Sequence, residues 1–149
     1  MVATVFAVGA AYRGRADHAP YIAAVCRDLE VCDIRVADTL VWAGRDGRRE
    51  ATLLLQPDDD AFPVAAPGPV RVRWNEEDGW SVLAQGESAA GCVYKGLGVV
   101  PDPGDMGAWV VVAVTRPDLT LSREDHPFRD HSVPDGSFEA RLAGYTSAG

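Results

Sequence analysis

The sequence predicts an α+β domain, an antiparallel sheet of four or five strands with two helices packed on one face. Three observations support this prediction: a helical apolar period near the start, alternating apolar residues in the middle, and turn signals between the alternating segments. With 149 residues, 47% of them hydrophobic and 24% charged, the chain has the composition of one globular domain. The expected boundaries are 1–16 for a leader that is either a strand or disordered, 17–116 for the α+β domain, and 117–149 for an acidic C-terminal extension.

The first element is an amphipathic helix. Asp17 can cap its start, and Pro20 falls in its first turn, where proline is tolerated. The helix should end near Glu30. Apolar residues recur at the i, i+3, i+4 and i+7 positions of one helix face: Ile22, Val25, Cys26 and Leu29.

Two strands are expected next, over 33–43 and 51–56, joined by a hairpin turn that contains two glycines. A tight turn between them places Leu40 opposite Leu53. In that register Leu40 and Trp42 both face the core.

The segment 70–85 predicts a second hairpin with an acidic tip, because apolar and polar residues alternate on both sides of the turn. Only the register that pairs Trp74 with Trp80 keeps the apolar residues of both strands on one face. Gly79 is then expected in a bulge-like position that needs a positive φ. The paired tryptophans are interpreted as core residues, since a buried indole removes a large area from water.

The apolar run 106–114 is ambiguous between a strand and a helix. Its four valines favour a strand, whereas its length and the preceding Asp105 favour a buried helix, which is the assignment preferred here. A short terminal helix is predicted over 138–142, with Ser137 as its cap.

Two short motifs resemble a known family. The run Arg73-Trp-Asn-Glu-Glu-Asp-Gly-Trp-Ser-Val82 resembles the W-(D/N)-E-x-x-G-W signature of small actinomycete proteins in a family of unknown function, and Tyr21-Ile-Ala-Ala-Val25 fits the first helix of those proteins. The resemblance covers about residues 18–114. It implies the fold and a bacterial source, and it adds no catalytic residues.

The charge distribution excludes some classes of function. The net charge is −8, with −1 in residues 1–75 and −7 in residues 76–149, a field that repels phosphate backbones and argues against nucleic-acid binding. The three cysteines form no C-x-x-C pair, so neither a disulfide framework nor a zinc site is indicated, and a reducing cytoplasm is expected. No apolar run is long enough to cross a membrane. No metal or cofactor is expected.

The charged hairpin tips are the candidate protein-binding residues. They are expected to be solvated, so that they offer exposed charge to a partner. His126 and His131, with neighbouring aspartates, are interpreted as solvated loop residues rather than metal ligands. The candidate protein-binding residues are Glu76, Glu77 and Asp78 at one tip and Arg45, Arg48 and Arg49 at the other.

The sequence therefore favours a non-enzymatic interaction or adaptor module of the bacterial cytoplasm, with a protein partner and a homodimer as one assembly. The alternative is an enzyme or binding protein for a small apolar or aromatic ligand, with a pocket between the sheet and the helices. The residues that would line this pocket are Trp42, Trp74, Trp80 and Trp109.

Overall fold

The computed structural model describes residues 15–57, 70–83, 92–94, 98–115 and 129–145. The leader up to residue 14, His126 and most of the extension before residue 129 lie outside the described residues. The elements in chain order are helix α1 (Ala19–Val31), strands β1 (Ile34–Ala43), β2 (Arg49–Pro57), β3 (Val70–Asn75), β4 (Gly79–Leu83) and β5 (Cys92–Tyr94), and helices α2 (Met106–Thr115) and α3 (Gly136–Ala143).

The five strands form one antiparallel sheet in the order β1-β2-β3-β4-β5, so each strand pairs with its neighbour in the chain. The buried side chains of all three helices join those on one face of this sheet in a single hydrophobic core. The predicted α+β fold is confirmed, with one helix more than expected on the packed face.

Helix α1 forms where the apolar period predicts it. Asp17 accepts a hydrogen bond from the Ala19 backbone N–H at 2.9 Å, so it serves the helix start although His18 occupies the cap position. Ile22, Val25 and Leu29 are fully buried, whereas the predicted core residue Cys26 is only half-buried. The helix ends at Val31, one residue beyond the prediction.

Strand β1 contains an irregularity that the sequence pattern does not predict. Val36 lies opposite Leu55, but Asp38 lies opposite Leu54, so Ala37 is an extra residue with no partner of its own. This is the geometry of a β-bulge. Next to the turn Leu40 lies opposite Thr52, one residue from the predicted register, and the bulge adds a second one-residue shift toward the start of the strand.

The bulge reverses the two faces of the following half of the strand. Thr39 and Val41 are buried, while Leu40 is 41% exposed and Trp42 is half-buried on the opposite face. The prediction that Leu40 and Trp42 face the core is therefore wrong, because side chains alternate and one extra residue exchanges inside for outside.

The second hairpin has the predicted register. Trp74 lies opposite Trp80, and Asn75 lies opposite Gly79. Gly79 adopts a φ of 75°, the left-handed conformation that favours glycine. Both tryptophans are core residues, each 1% exposed.

Replacing Gly79 by alanine is expected to lower the free energy of unfolding by about 2–4 kcal/mol, from left-handed strain and a steric clash together. A Cβ atom at this position would lie 2.7 Å from the backbone oxygen of Gly98. Gly136→Ala is the matched control, because a Cβ there meets no atom within 4 Å. Urea unfolding measures both variants, and a Gly79→Ala variant as stable as the control would contradict the hairpin geometry.

Helices α2 and α3 complete the core. The run 106–114 is helical, as preferred, and α2 buries Met106 and Val110 against the other elements. The α3 helix begins at Gly136 with Asp135 as its cap, since the Asp135 carboxylate accepts hydrogen bonds from the backbone N–H groups of Ser137 and Phe138. The capping role predicted for Ser137 is therefore wrong. Within the described ranges no helix combines the length and apolarity needed to cross a bilayer.

Candidate functional site

The two core tryptophans use their polar atoms inside the protein. Trp74 donates its indole N–H to the backbone oxygen of Val99 at 2.7 Å. Trp80 donates to the hydroxyl of Tyr21 at 3.0 Å, and that hydroxyl donates to the backbone oxygen of Pro101 at 2.8 Å. Burial raises the pKa of Tyr21. These contacts bind the hairpin to α1 and to the segment before α2.

The four tryptophans do not meet. Trp109 on α2 belongs to the same core as Trp74 and Trp80. Trp42 lies on the other face of the sheet. One pocket lined by all four indoles is therefore not formed.

A groove does exist between the sheet and a helix, but tryptophans do not line it among the described residues. It lies between α1 and β1 and has a volume of about 850 Å³. Its apolar lining includes Ile22, Cys26, Val36 and Val41, and burial raises the pKa of the Cys26 thiol.

The acidic tip of the second hairpin is partly buried. Glu76 is 0% exposed, and its carboxylate accepts hydrogen bonds from the Arg49 guanidinium at 2.9 and 3.0 Å and from the Arg49 backbone N–H at 2.6 Å. Arg15 donates to the same carboxylate at 2.6 Å, and Arg129 donates at 2.5 Å. One carboxylate thus meets three guanidinium groups, a cluster named here the Glu76 cluster.

Arg49 is the second centre of the Glu76 cluster. It is 0% exposed and donates two hydrogen bonds, of 2.6 and 2.8 Å, to Glu139 on α3 and another of 2.7 Å to the backbone oxygen of Ala16. The expectation that Glu76 and Arg49 are solvated at exposed tips is therefore wrong. Both side chains are occupied inside the folded chain.

The other tip residues lie nearer the surface. Glu77 contacts Arg48 at 3.4 Å and accepts a hydrogen bond from the backbone N–H of His131 at 2.9 Å. Asp78 is half-buried beside Asn75, and Arg45 is exposed. A role of these residues in protein binding stays a prediction.

The charges in the Glu76 cluster stabilise one another. Burial alone would raise the pKa of Glu76, but the hydrogen bonds and charge of Arg49, together with the charge of Arg15, lower it to about 2. Burial alone would lower the pKa of Arg49, but Glu139 and Glu76 raise it. Glu76 and Arg49 are therefore both ionised near neutral pH, and Glu76 is unsuited to proton transfer there.

The pKa values of the two described histidines are shifted in opposite directions. The hydrogen bond to Glu77 raises the pKa of His131 above its usual 6.5, and burial lowers the pKa of His18, which stacks on Trp74. The charged form of His131 stabilises the fold fully below pH 6.5, and this contribution is lost as the pH rises through the folded pKa. A proton NMR titration checks both shifts, and a His131 pKa below that of His18 would contradict this arrangement.

One group has the composition of a cation site. Glu77, Asp130 and His131 each bring a ligand atom within 4.8 Å of the others. The His131 ring nitrogen Nδ1 already lies 2.8 Å from Glu77, and Asp130 accepts from Ser132. The hydrogen bonds within the group account for its geometry.

The sheet face opposite the helices carries a shallow cleft of about 410 Å³. Across the strands, Leu40 lies opposite Thr52, which lies opposite Arg73. In the adjacent row Asp38, Leu54 and Arg71 follow one another in the same way, and Trp42 lies in the row on the other side of Leu40, opposite Glu50. The cleft residues are Asp38, Leu40, Trp42, Thr52, Leu54, Arg71 and Arg73, here called the outer-face cleft.

Two signals in the sequence could have revealed the buried pair Arg49 and Glu76. Side chains alternate along each strand, and the inward positions of β2 and β3 continue one step past the last apolar residue. Those final inward positions hold opposite charges. On β2 the inward series is Leu55, Leu53, Ala51 and then Arg49. On β3 it is Val70, Val72 and Trp74, and Glu76 follows directly after the strand.

Comparison with known proteins gives one match. No curated protein and no solved structure is significantly similar to the chain. Residues 21–112, more than half of the chain, match a family described as a family of unknown function, DUF6292. That range contains most of α1, the whole sheet and most of α2, together with the outer-face cleft and the central pair Arg49 and Glu76. The chain therefore belongs to the family of unknown function DUF6292.

Proposed function

We propose that this protein is a non-enzymatic interaction module of the bacterial cytoplasm that binds a protein partner through the outer-face cleft. One observation carries the proposal. Leu40 and Trp42 lie on the sheet face opposite the three helices, beside Arg71 and Arg73, which make no ion pair within the described residues. Accessible tryptophan and arginine side chains are typical of binding surfaces.

The buried charges support a non-enzymatic role. Glu76 and Arg49 are the most deeply buried ionisable pair in the described chain, and each is hydrogen-bonded to several protein groups. Groups paired in this way hold the hairpins and α3 together. Their perturbed pKa values follow from these structural contacts, which also perturb pKa values outside active sites.

Site-specific photo-crosslinking tests the proposed surface. A photoreactive residue replaces Thr52 at the centre of the outer-face cleft, and a control places the same residue at Ala140, which is exposed on α3. In an extract of the source bacterium, we expect a protein adduct of defined mass from Thr52 alone. Loss of this adduct when Trp42 is also replaced by serine would support binding at the outer-face cleft. Equal adducts from both positions, or none from Thr52, would refute it.

A second candidate function is the binding of a small apolar ligand, which the groove between α1 and β1 favours. Its volume is in the range of ligand-binding clefts, and much of its lining is apolar. Thermal shift across a metabolite library tests it. A ligand that stabilises the protein should lose its effect in Ala23→Trp, which fills the groove, and retain it in Ala140→Trp on α3. A flat response across the library would remove this candidate.

A further inference from the structure

We infer that the outer-face cleft recognises a short extended peptide in which an aromatic residue and acidic residues lie about three positions apart. The inference rests on the proposed function and adds the chemistry of the partner. It follows from the positions of charge and apolar surface across strands β1, β2 and β3.

The acidic part of the peptide is required by the arginines on β3. Arg71 and Arg73 are two residues apart in one strand, so they point to the same face and their Cα atoms are about 7 Å apart. Both are exposed, and neither guanidinium group forms a hydrogen bond or ion pair in the described part of the chain. Two guanidinium groups at this spacing can each bind one carboxylate in a bidentate manner.

The apolar part of the peptide is required by the residues on β1 and β2. Leu40, Trp42 and Leu54 present an apolar surface with one exposed edge. Leu40 and Leu54 lie one to two strand spacings, up to about 10 Å, from the arginines in their own rows, because neighbouring strands are about 4.8 Å apart. Trp42 lies one row farther along β1. In an extended peptide, three residues span about 10 Å, so an aromatic anchor and a carboxylate three residues away reach both surfaces.

Asp38 fixes which part of the peptide lies over which strand. It lies on β1 at the opposite end of the row that contains Leu54 and Arg71. A carboxylate placed on β1 would meet this like charge, whereas a carboxylate placed on β3 meets the arginines. The acidic residues must therefore lie over β3 and the aromatic residue over β1 and β2.

The net charge favours a short peptide over a polyanion. The chain carries −8 overall, and a nucleic acid or an anionic membrane would extend beyond the two arginines into this field. At about 0.15 M salt, charges beyond roughly 8 Å are largely screened. A short acidic peptide therefore meets the arginines directly while most of the repulsion is screened.

Peptide display tests the inference with the full chain. A library of random twelve-residue peptides is selected on the wild-type protein and counter-selected on R71E/R73E. We expect enriched peptides with an aromatic residue and acidic residues about three positions away from it. Their affinity, measured by fluorescence anisotropy, should fall at least about tenfold on R71E/R73E. The control R27E/R141E changes two exposed arginines on α1 and α3 and should leave the affinity unchanged.

Charge reversal gives the sharpest test. Replacing the acidic residues of a selected peptide by lysine should weaken binding to the wild type and restore it to R71E/R73E, provided that both proteins melt at the same temperature. No enrichment, enriched peptides without acidic residues, or equal affinity for wild type and R71E/R73E would overturn the inference. If the Thr52 crosslink to a protein persists in that case, the proposed function stands and only the peptide chemistry fails.

Discussion

Replacing Glu76 by glutamine is expected to lower the free energy of unfolding by about 3–5 kcal/mol at pH 7, the usual cost of breaking a buried ion pair. The amide keeps the size of the side chain but leaves the guanidinium groups of Arg49, Arg15 and Arg129 without their shared carboxylate. Urea unfolding monitored by tryptophan fluorescence measures the loss. Glu30→Gln is the matched control, because Glu30 lies exposed on α1.

The loss should depend on pH in a defined direction. The folded pKa of Glu76 is about 2, below the ordinary 4.5, so its ionised form stabilises the fold above pH 4.5. That contribution disappears as the pH falls from 4.5 through 2. The difference between wild type and Glu76→Gln should therefore shrink at pH 3, and a constant difference from pH 7 to pH 3 would contradict the assigned ion pairs.

Replacing Trp74 by alanine is expected to cost about 3–5 kcal/mol, since the indole is fully buried and donates a hydrogen bond to Val99. Trp42→Ala is the matched control within the same sheet. Trp42 is half-buried on the outer face, so its removal should cost less than about 1 kcal/mol. Chemical denaturation of both variants compares the two faces, and equal losses would contradict the placement of Trp42.

The regular parts of the fold could be predicted because one physical pattern decides each of them. The apolar period of α1 and the alternation around Trp74 and Trp80 both allow a single arrangement that buries apolar area. The helix over 106–114 followed from length rather than pattern, since a wholly apolar run has no periodicity.

The candidate site could be predicted only in part. Trp42 was expected to line a pocket between the sheet and the helices, but the bulge at Ala37 places it on the outer face. A bulge depends on packing that local sequence does not encode. Glu76 and Arg49 were assigned to solvated tips because charged residues are rarely buried alone. Their burial depends on Glu139, 63 residues after Glu76, and no local pattern brings these groups together.

The hydrogen bond between the Ala16 backbone N–H and the Glu139 carboxylate, 2.7 Å long, brings together two flanks that lie outside the family match. A fragment cut at residues 21 and 112 would lack Arg15, Arg129 and Glu139, and it would retain Arg49 and Glu76 with only each other as charged partners from the Glu76 cluster. The two flanks therefore hold each other in place through the Glu76 cluster. If one flank opens, the other loses hydrogen-bond and ion-pair partners, so local opening at the two ends is thermodynamically coupled. The cooperative unit of this protein is longer than the segment by which its family is recognised.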